Sequence, residues 1–461
     1  MALDTRVLQA DEWDVWYDHL ELAFGGVPET LGERTLYRDL TELERSLGVW
    51  DGGTCVGSAG AFSFRLSVPG GALVPAAGVT MVGVAPTHRR RGVLTSLMRR
   101  QLDDIREGGE PLAVLTASEP EIYGRFGYGT GVYALSVEID TTRVRLAVPP
   151  GTDEVRLRLV DPEKALADCE RVYAALVARR PGMPARQPGW ERLGLLDPEA
   201  RREGASPLKC VVAEDAEGEV TGYARYRVKP DWEQSGSDGK VQVEDVDALH
   251  PAAYAALWRY LFEIDLTWSV RAYGRPADDA LLHLASDVRR MRTRQRDALH
   301  VRLVDLPAAL EARTYAAALD VVLEVEDAFC PWNTGRWRLT AQAGGEVRCV
   351  RTADAADLAL SVRELGSAYL GGITLTSLAA AGRVRELRPG ALSRASRAFA
   401  GDVATPTSGR RAPPSAPPSS SPDRTCCAPA CGSPTATGPS ATRRSGRAGP
   451  RTAASTSTRP P

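Results

Sequence analysis

The sequence has no excess of charge of either sign, because Lys and Arg number 57 against 59 for Asp and Glu. A general nucleic-acid-binding protein carries a basic excess, so this balance predicts a protein without a nucleic-acid partner. Long apolar runs are also missing, and no stretch approaches the roughly 20 residues that a membrane-spanning helix needs. The first residues, Met1 to Arg6, contain no basic segment followed by an apolar run, so no signal peptide is expected.

Cysteine and histidine are scarce, with eight and five among 461 residues. Most cysteines stand far apart, which is typical of reduced thiols and not of a disulfide framework: Cys55, Cys169, Cys210, Cys330 and Cys349. The others, Cys426, Cys427 and Cys431, are too few and too unevenly spaced for a zinc site, and no histidine lies near them. We therefore predict a cytoplasmic protein that binds no metal ion.

The C-terminal stretch of the chain lacks large apolar side chains altogether. From Ala404 to Pro461 there is no Leu, Ile, Val, Met, Phe, Tyr or Trp. Such a segment cannot bury enough apolar surface to offset the entropy lost on ordering, so residues 404–461 are predicted to be disordered. Arg, Pro, Ala, Ser, Thr and Gly dominate this segment, which is the composition that a frameshift in a GC-rich gene would produce. A genuine appended tail is the alternative.

The sequence before this segment mixes helix and strand patterns, and the length predicts several domains. In the N-terminal third, apolar periodicity predicts helices at 12–24 and 92–107 and strands at 47–50, 55–66, 78–84 and 112–116. The central region repeats this order of elements, which predicts a divergent internal duplication; its helices are expected near 164–178 and 251–262, and its strands near 210–213, 221–228 and 240–246.

A third region, at about 300–400, is predicted to place strands before helices. The strands are expected near 321–325, 337–341 and 347–351, and the helices near 362–369, 375–381 and 390–400. The predicted fold class is therefore α/β (α+β). The predicted domains are 1–150, 151–295 and 296–403, followed by the segment 404–461.

A strand, a basic loop and a helix follow one another in the sequence VGVAPTHRRRGVL, residues 82–94. The first amides of a helix have no intrahelical partner, and the helix dipole attracts negative charge. Gly92 at the helix entry lets a phosphate approach the backbone, and the arginines before it raise the local positive potential. This pattern predicts a pyrophosphate-binding loop. The alternative is a solvated basic turn, which is disfavoured because cations at a helix N-terminus oppose its dipole unless an anion is present.

Gly83, in the middle of the strand before this loop, predicts a bulge that would separate adjacent strands and free backbone groups for an extended ligand. The loop itself is not a nucleotide-binding P-loop, because no Lys-Ser or Lys-Thr follows its glycine. Nor is it a dinucleotide fingerprint, which needs three spaced glycines.

The second informative sequence is ASEPEIYGRFGYG, residues 117–129, directly after the strand 112–116. Ser118 or Glu119 can cap the short helix that Pro120 opens. Considered alone, Tyr123 in that helix is more often an aromatic anchor of the core. The functional alternative makes Tyr123 a proton donor at the open ends of the strands.

Together the two sequences resemble the GNAT acetyltransferases, which combine a basic Arg-x-x-Gly-x-x loop after one strand with a tyrosine after the next. The strings APTHRRRG and IYGRFGYG, with PAALEARTYA near Pro307 and LGGITLTSLAAAGR near Leu370, resemble more closely the actinobacterial Eis (enhanced intracellular survival) family. The resemblance covers residues 1–403. It implies a catalytic N-terminal GNAT domain, a degenerate central GNAT domain and a sterol-carrier-protein-like C-terminal domain, assembled as a hexamer.

The central domain's counterpart of the basic loop, VDALHP at 246–251, has neither glycine nor arginine and is not expected to bind CoA. The resemblance implies acetyl transfer from acetyl-CoA to a primary amine of an aminoglycoside, a polyamine or a lysine side chain, with Tyr123 as the general acid. It also implies which residues hold acetyl-CoA: Val82, Gly83, Val84, Arg90, Arg91, Gly92, Val93, Leu94, Thr95, Ser118 and Glu119.

Two further expectations concern the acceptor. Four carboxylates that would suit a cationic substrate lie in the first domain, but exposed acidic residues are ordinarily only solvated and receive no role here: Asp18, Glu21, Glu29 and Glu33. In the family that the chain resembles, the C-terminal carboxylate assists deprotonation of the amine, and the chains end shortly after the equivalent of residues 399–403. Here the sequence runs on to Pro461, which is therefore a nominal base. A non-catalytic CoA- or lipid-binding protein, with its site disabled by the altered C-terminus, is the alternative function.

Overall fold

Residues 3–234 and 236–401 are described in this computed structural model. The predicted disordered segment 404–461 lies outside the described residues, and Pro461 lies outside them with it. The elements of the N-terminal region are, in order, β1 (Asp4–Val7), α1 (Trp13–Ala23), α2 (Leu31–Leu40), β2 (Leu47–Asp51), β3 (Thr54–Ser67), β4 (Leu73–Val84), α3 (Val93–Glu107), β5 (Leu112–Thr116) and β6 (Gly129–Thr130).

The helices of this region form for recognisable local reasons. Helix α1 buries an aromatic face, and α3 buries Leu97, Met98 and Leu102 at helical spacing. Helix α2 was not predicted from the sequence. It begins at a capping box in which Thr30 and Glu33 bond each other's backbone, a signal that the sparse apolar pattern after it obscures.

The central region continues with a second set of strands and helices. They are β7 (Tyr133–Asp140), β8 (Arg156–Val160), α4 (Leu166–Val177), β9 (Pro184–Ala185), β10 (Lys209–Glu214), β11 (Val220–Lys229), β12 (Trp232–Glu233), β13 (Gly236–Ser237), β14 (Gly239–Ala248), α5 (Pro251–Phe262), β15 (Thr267–Pro276), α6 (Leu281–Leu284) and β16 (Arg294–Asp297). The predicted helices and strands of this region are confirmed to within a few residues.

The third region supplies the last elements. They are β17 (Leu299–Leu303), α7 (Leu306–Glu311), β18 (Leu319–Glu326), β19 (Gly335–Ala341), β20 (Val347–Arg351), β21 (Leu358–Ser361), α8 (Val362–Ala368), α9 (Leu375–Ala380), β22 (Val384–Glu386) and α10 (Ala391–Phe399). Strands β18 to β22 form a mixed sheet in the order β20-β19-β18-β21-β22, and the helices pack on it around a large apolar core.

Strands β7 and β17 each join a different sheet from the strands next to them in the sequence. The first sheet has the order β1-β2-β3-β4-β5-β17-β6, so β17 completes it from much later in the sequence. Strand β7, which directly follows β6, instead joins the second sheet, whose order is β16-β7-β15-β14-β11-β10-β8. The short strand β9 also pairs with β3 of the first sheet, and β12 and β13 pair only with each other. Apart from these short strands, sheet membership changes between β6 and β7 and again between β16 and β17. The predicted domain boundaries at 150 and 295 stay predictions.

Candidate active site

The first sheet contains a gap between two parallel strands. Strand β4 pairs with β5 only over Ala76–Gly78 and Leu112–Val114. Beyond Gly78, within the described residues of the chain, β4 pairs with β3 alone as far as Val84, while β5 pairs with β17 on its other edge along its whole length. Because β4 and β5 are parallel, the sequences that follow Val84 and Thr116 lie at the same edge of the sheet. The structure thus brings the two informative motifs together.

The bulge in β4 lies slightly before the predicted position. The register between β3 and β4 shifts between Ser58 and Gly60, so that Met81 and Val82 together face Ala59. Met81 takes the left-handed conformation with φ of 53°, whereas Gly83 pairs with Ser58 in ordinary strand geometry. The expectation that Gly83 forms the bulge is therefore wrong in position. A non-glycine residue carries the unusual conformation because the strands on both sides of it fix the backbone.

The backbone of Val84 faces the gap. The Ala85 amide donates to the Val56 carbonyl of β3 at 2.9 Å. Amides alternate in direction along a strand, so the Val84 amide points away from β3, towards the space that β5 leaves. Both Val82 and Val84 are only half-buried on this side. A backbone donor therefore faces the gap.

The basic loop ends at a helix whose N-terminus has no side-chain cap. Gly92 precedes α3 in the left-handed conformation, with φ of 83°, and a Cβ at this position would have no atom within 4 Å. The amides of the first turn, Val93, Leu94 and Thr95, have no carbonyl one turn earlier in the helix to bond. The loop is anchored by His88, whose Nε2 lies 3.1 Å from Asp51 Oδ2 at the end of β2. This geometry fits a phosphate group.

The arginines of the loop carry unpaired charge. Arg89, Arg90 and Arg91 are all exposed, and none forms an ion pair with a carboxylate among the described residues. Cations at the N-terminus of a helix oppose its dipole, so their position is favourable only when an anion lies between them and the helix. The structure thus retains the features that favoured an anion site over a solvated turn.

Tyr123 lies at the same edge of the sheet as this loop. It belongs to the 3₁₀ helix Pro120–Phe126, and it packs with Val82 and Leu94 against one apolar cluster. Within the described residues the Tyr123 hydroxyl has no hydrogen-bond partner, while its ring packs edge-on against Tyr128 with centroids 5.9 Å apart. Ser118 and Glu119 are exposed in the turn before the helix, and neither side chain caps it. The hydroxyl is therefore available to a substrate.

The environment of Tyr123 keeps its proton in place. Burial, and after it the negative charge of Glu119, raises the pKa of Tyr123 to about 12. A phenol with a raised pKa is fully protonated at neutral pH, which is the state that a general acid needs.

The acidic side chains near α1 and α2 are already paired. Arg34 lies 2.7 Å from Asp18 and 3.3 Å from Glu21, and Arg201 lies 3.4 Å from Glu29 and 3.1 Å from Glu33. Tyr17 also donates a hydrogen bond to Glu29 at 2.5 Å. The expectation that these carboxylates are solvated is wrong for Glu29 and Glu33, whose side chains are buried. Their contacts within the fold still agree with giving them no role.

The second sheet contains a similar gap that the protein itself bridges. Strands β14 and β15 pair in parallel up to Val243 and Ala272 and then diverge. Across this gap Nη1 of Arg275 donates to the Val246 carbonyl of β14 at 3.1 Å, and Nε of Arg275 donates to Asp279 Oδ2 at 2.6 Å. In the second sheet a guanidinium thus bonds the backbone at the gap, where the first sheet leaves the backbone unpaired. This bridge gives a physical reason for the degenerate character predicted from residues 246–251.

Among residues 3–234 and 236–401, no cluster of His, Cys, Asp and Glu could hold a metal ion. In the same residues, no helix combines the length and the apolar character that crossing a membrane requires.

Comparison with known proteins gives an independent result. Residues 4–131 match a family described as an acetyltransferase (GNAT) domain, residues 182–303 match another family of the same description, and residues 306–406 match the sterol carrier protein domain. A protein named "uncharacterized N-acetyltransferase" from Streptomyces avermitilis is 67% identical over 404 residues, which cover 88% of this chain and 98% of the relative. The N-acetyltransferase Eis of Mycobacterium tuberculosis is 35% identical over 409 residues, covering 86% and 96%.

A solved structure has the same architecture. Eis1 from Mycobacterium abscessus is similar with a TM-score of 0.74 at 35% identity, covering 88% of this chain and 99% of the other. Two acetyltransferase domains followed by a sterol-carrier domain are therefore present, as the resemblance implied. The sequence did not reveal that β17 pairs with the far edge of β5, nor did it reveal the Arg275 bridge, although Arg275 and Asp279 stand at i, i+4 directly after a strand pattern.

Proposed function

Because this chain belongs to the Eis family of GNAT N-acetyltransferases, we propose that the site at the edge of its first sheet transfers an acetyl group from acetyl-CoA to a primary amine. The observation that carries the proposal is the meeting of three features at one sheet edge. They are the gap beside β4, the uncapped N-terminus of α3 and the free hydroxyl of Tyr123. An acyl carrier with a diphosphate, an amide-rich arm and a thioester needs all three.

Acetyl-CoA is proposed to lie along the gap with its diphosphate on α3. The first-turn amides of Val93 to Thr95, with Gly92 and the side chains of Arg90 and Arg91, would hold the diphosphate. The backbone of Val82, Gly83 and Val84 would pair with the extended arm. Ser118 and Glu119, exposed in the turn before the tyrosine, would border the thioester end. The open space at Gly92 fits this arrangement, because a side chain there would stand where a phosphate must approach.

The chemistry follows from these positions. A neutral amine attacks the thioester carbonyl, forming the C–N bond, and the Val84 amide stabilises the negative charge that develops on the oxygen. The C–S bond then breaks, and Tyr123 donates its proton to the departing thiolate of CoA. The nitrogen, which became cationic on attack, loses a proton to give the neutral amide, and uptake of one proton from solvent by the phenolate restores Tyr123. Because a substrate ammonium must lose a proton first, a base is also needed. The C-terminal carboxylate, nominally that of Pro461, is the proposed base and lies outside the described residues.

The proposed acceptor class is tested with the purified 461-residue chain. Incubation with acetyl-CoA and separate aminoglycosides, polyamines and lysine peptides should yield at least one amine that gains one acetyl group by mass spectrometry. If acetyl-CoA binds and no amine in any of the three classes is acetylated, the acceptor proposal is wrong.

Each chain should bind one acetyl-CoA. Strands β4 and β5 are unpaired beyond Gly78, whereas the Arg275 guanidinium bonds the backbone of β14 in the second sheet and residues 246–251 offer no glycine or arginine for a diphosphate. Isothermal titration of the purified chain should therefore give one site per chain, and Gly92→Glu, which places a carboxylate at the diphosphate, should abolish that site. A second site, or binding that survives in Gly92→Glu, contradicts the assignment.

Turnover should persist at alkaline pH. The acid form of Tyr123 is required, and it is lost only as pH rises through its raised pKa of about 12. A tyrosine at its ordinary pKa of about 10 would cause the rate to fall tenfold per pH unit above that value. We therefore expect single-turnover rates to rise with pH as the amine loses its proton and to show no fall up to about pH 11. A decline that begins near pH 10 argues against a buried Tyr123 as the acid.

A hexamer is the proposed assembly, on the basis of the family resemblance. Large apolar side chains are exposed on and beside β15, which supports an interface there: Trp232, Leu266, Trp268 and Tyr273. Sedimentation of the purified chain tests this proposal.

A further inference from the structure

The turn that closes the helix of Tyr123 lies directly on a buried guanidinium. Gly127 ends this helix with φ of 86°, and the Tyr128 amide donates back to the Tyr123 carbonyl at 3.3 Å. A Cβ on Gly127 would lie 2.8 Å from Cζ and 2.9 Å from Nε of Arg302. Because only a glycine leaves room for this contact, the position of Arg302 determines where the turn can lie.

Arg302 is itself held by the third region of the chain. It lies on β17 with no exposed surface, and its Nη2 donates to Asp327 Oδ2 at 2.7 Å. The Asp327 carboxylate also accepts from Asn333 Nδ2 and from the Cys330 amide, both at 2.9 Å. A buried ion pair of this kind is costly to break, yet it adds little net stability over apolar packing. Its main consequence here is a fixed geometry.

The loop after Asp327 also contacts the other half of the site. Phe329 packs edge-on against Phe126 of the tyrosine helix, with ring centroids 4.9 Å apart. The Arg99 guanidinium of α3 stacks on the Phe329 ring at 3.8 Å and donates to the Phe329 carbonyl. Arg106, further along α3, lies over Trp332 at 4.5 Å. One loop thus contacts both the 3₁₀ helix of Tyr123 and helix α3, which follows the basic loop.

A second contact comes from α8. A Cβ on Gly129 would lie 2.0 Å from the Arg363 carbonyl oxygen and 2.6 Å from the Ser367 amide nitrogen, so two backbones meet there without side chains between them. The tyrosine turn is therefore enclosed by the sterol-carrier domain and by the strand that leads into it.

We propose that Arg302 and Asp327 are positioning residues for Tyr123, and that the sterol-carrier domain is a structural component of the acetyl-transfer site. The inference rests on the proposed role of Tyr123. A proton donor displaced by about 1 Å can lose on the order of a hundredfold in rate, so a fixed support for its helix has a direct catalytic consequence.

The test is Asp327→Asn in the full chain, which keeps the size of the side chain and removes its charge. We expect kcat to fall by about tenfold or more while KM for acetyl-CoA stays within about twofold, because the diphosphate loop is intact. The fall of kcat at alkaline pH should also begin at a lower pH, since a less firmly held Tyr123 is better solvated and its pKa returns towards the ordinary value. The matched control is Asp279→Asn, which removes the same charge from the buried Arg275–Asp279 pair of the second sheet and should leave kcat unchanged.

A double-mutant cycle separates the possible failures. If Asp327 acts through Tyr123, Asp327→Asn should cost little further activity in a Tyr123→Phe background. Unchanged kcat in Asp327→Asn overturns the positioning role but not the proposed acid. The same holds if Asp327→Asn causes an equal loss of kcat in the wild-type and Tyr123→Phe backgrounds. Unchanged turnover in Tyr123→Phe overturns the proposed acid, and this inference with it. Should Asp327→Asn fail to fold, Arg302→Lys keeps the positive charge beside Asp327, removes the guanidinium that lies against Gly127 and should lower kcat in the same way; unchanged kcat in that variant overturns the proposal.

Discussion

Tyr123→Phe is expected to lower kcat by about 10²- to 10⁴-fold, the usual contribution of a general acid. KM for acetyl-CoA should change little, because the hydroxyl is proposed to act on the sulfur only as the C–S bond breaks. The ring remains, so its packing with Val82 and Leu94 is retained and the fold should be as stable as before. Steady-state kinetics at saturating amine, followed by thiol release, measure the effect.

Tyr128→Phe provides the matched control for this experiment. Tyr128 packs against Tyr123, and its hydroxyl is buried with no hydrogen-bond partner among the described residues. Removing an unpartnered buried hydroxyl costs little and can even stabilise a protein, so kcat and thermal stability should stay near the wild-type values. Equal losses in both variants would mean that aromatic packing, and not proton donation, explains the effect of Tyr123→Phe.

The double substitution Arg90→Ala, Arg91→Ala should weaken acetyl-CoA binding by about 10- to 100-fold, since charge-assisted contacts to phosphate are strong but these side chains are exposed to solvent. At saturating acetyl-CoA, kcat should remain close to the wild-type value because neither arginine takes part in the bond changes. Isothermal titration at low and at high salt gives the affinity, and the difference between the variant and the wild type should shrink as salt rises.

Arg100→Ala is the control for this pair. Arg100 lies on the same helix and is about half exposed, but it pairs with Asp104 one turn later at 2.7 Å. Its loss should leave acetyl-CoA affinity within about twofold, as expected for a surface ion pair away from the ligand. If Arg100→Ala and the double variant weaken binding equally, general positive potential and not a diphosphate site is responsible.

The local elements of this protein were predictable from the sequence, and the pairing of its strands was not. Apolar periodicity is a local signal, so α3, β5, α5 and β20 lie where it predicts them. Nothing local indicates that β17 completes the first sheet while β7 leaves it, because strand partners are chosen by packing over long sequence separations.

Some residues of the candidate site were likewise predictable from the sequence and others were not. Gly92 and Tyr123 lie in short motifs of consecutive residues whose chemistry can be recognised from the sequence, so both could be proposed before the fold was known. The left-handed conformation falls on Met81 and not on Gly83, because the register of the hairpin, set along its whole length, decides where the extra residue is placed. Buried pairs such as Arg302 with Asp327 are invisible in the sequence, since the two residues lie on or directly beside strands of different sheets and meet only in the folded chain.

The most direct test of acetyl transfer is thiol release from acetyl-CoA by the wild-type chain, measured with and without a primary amine. Release should require the amine, and one acetylated amine should appear for each thiol released. Thiol release at the same rate without any amine would show hydrolysis and not transfer. Binding of acetyl-CoA with no release under either condition would contradict catalysis by this chain.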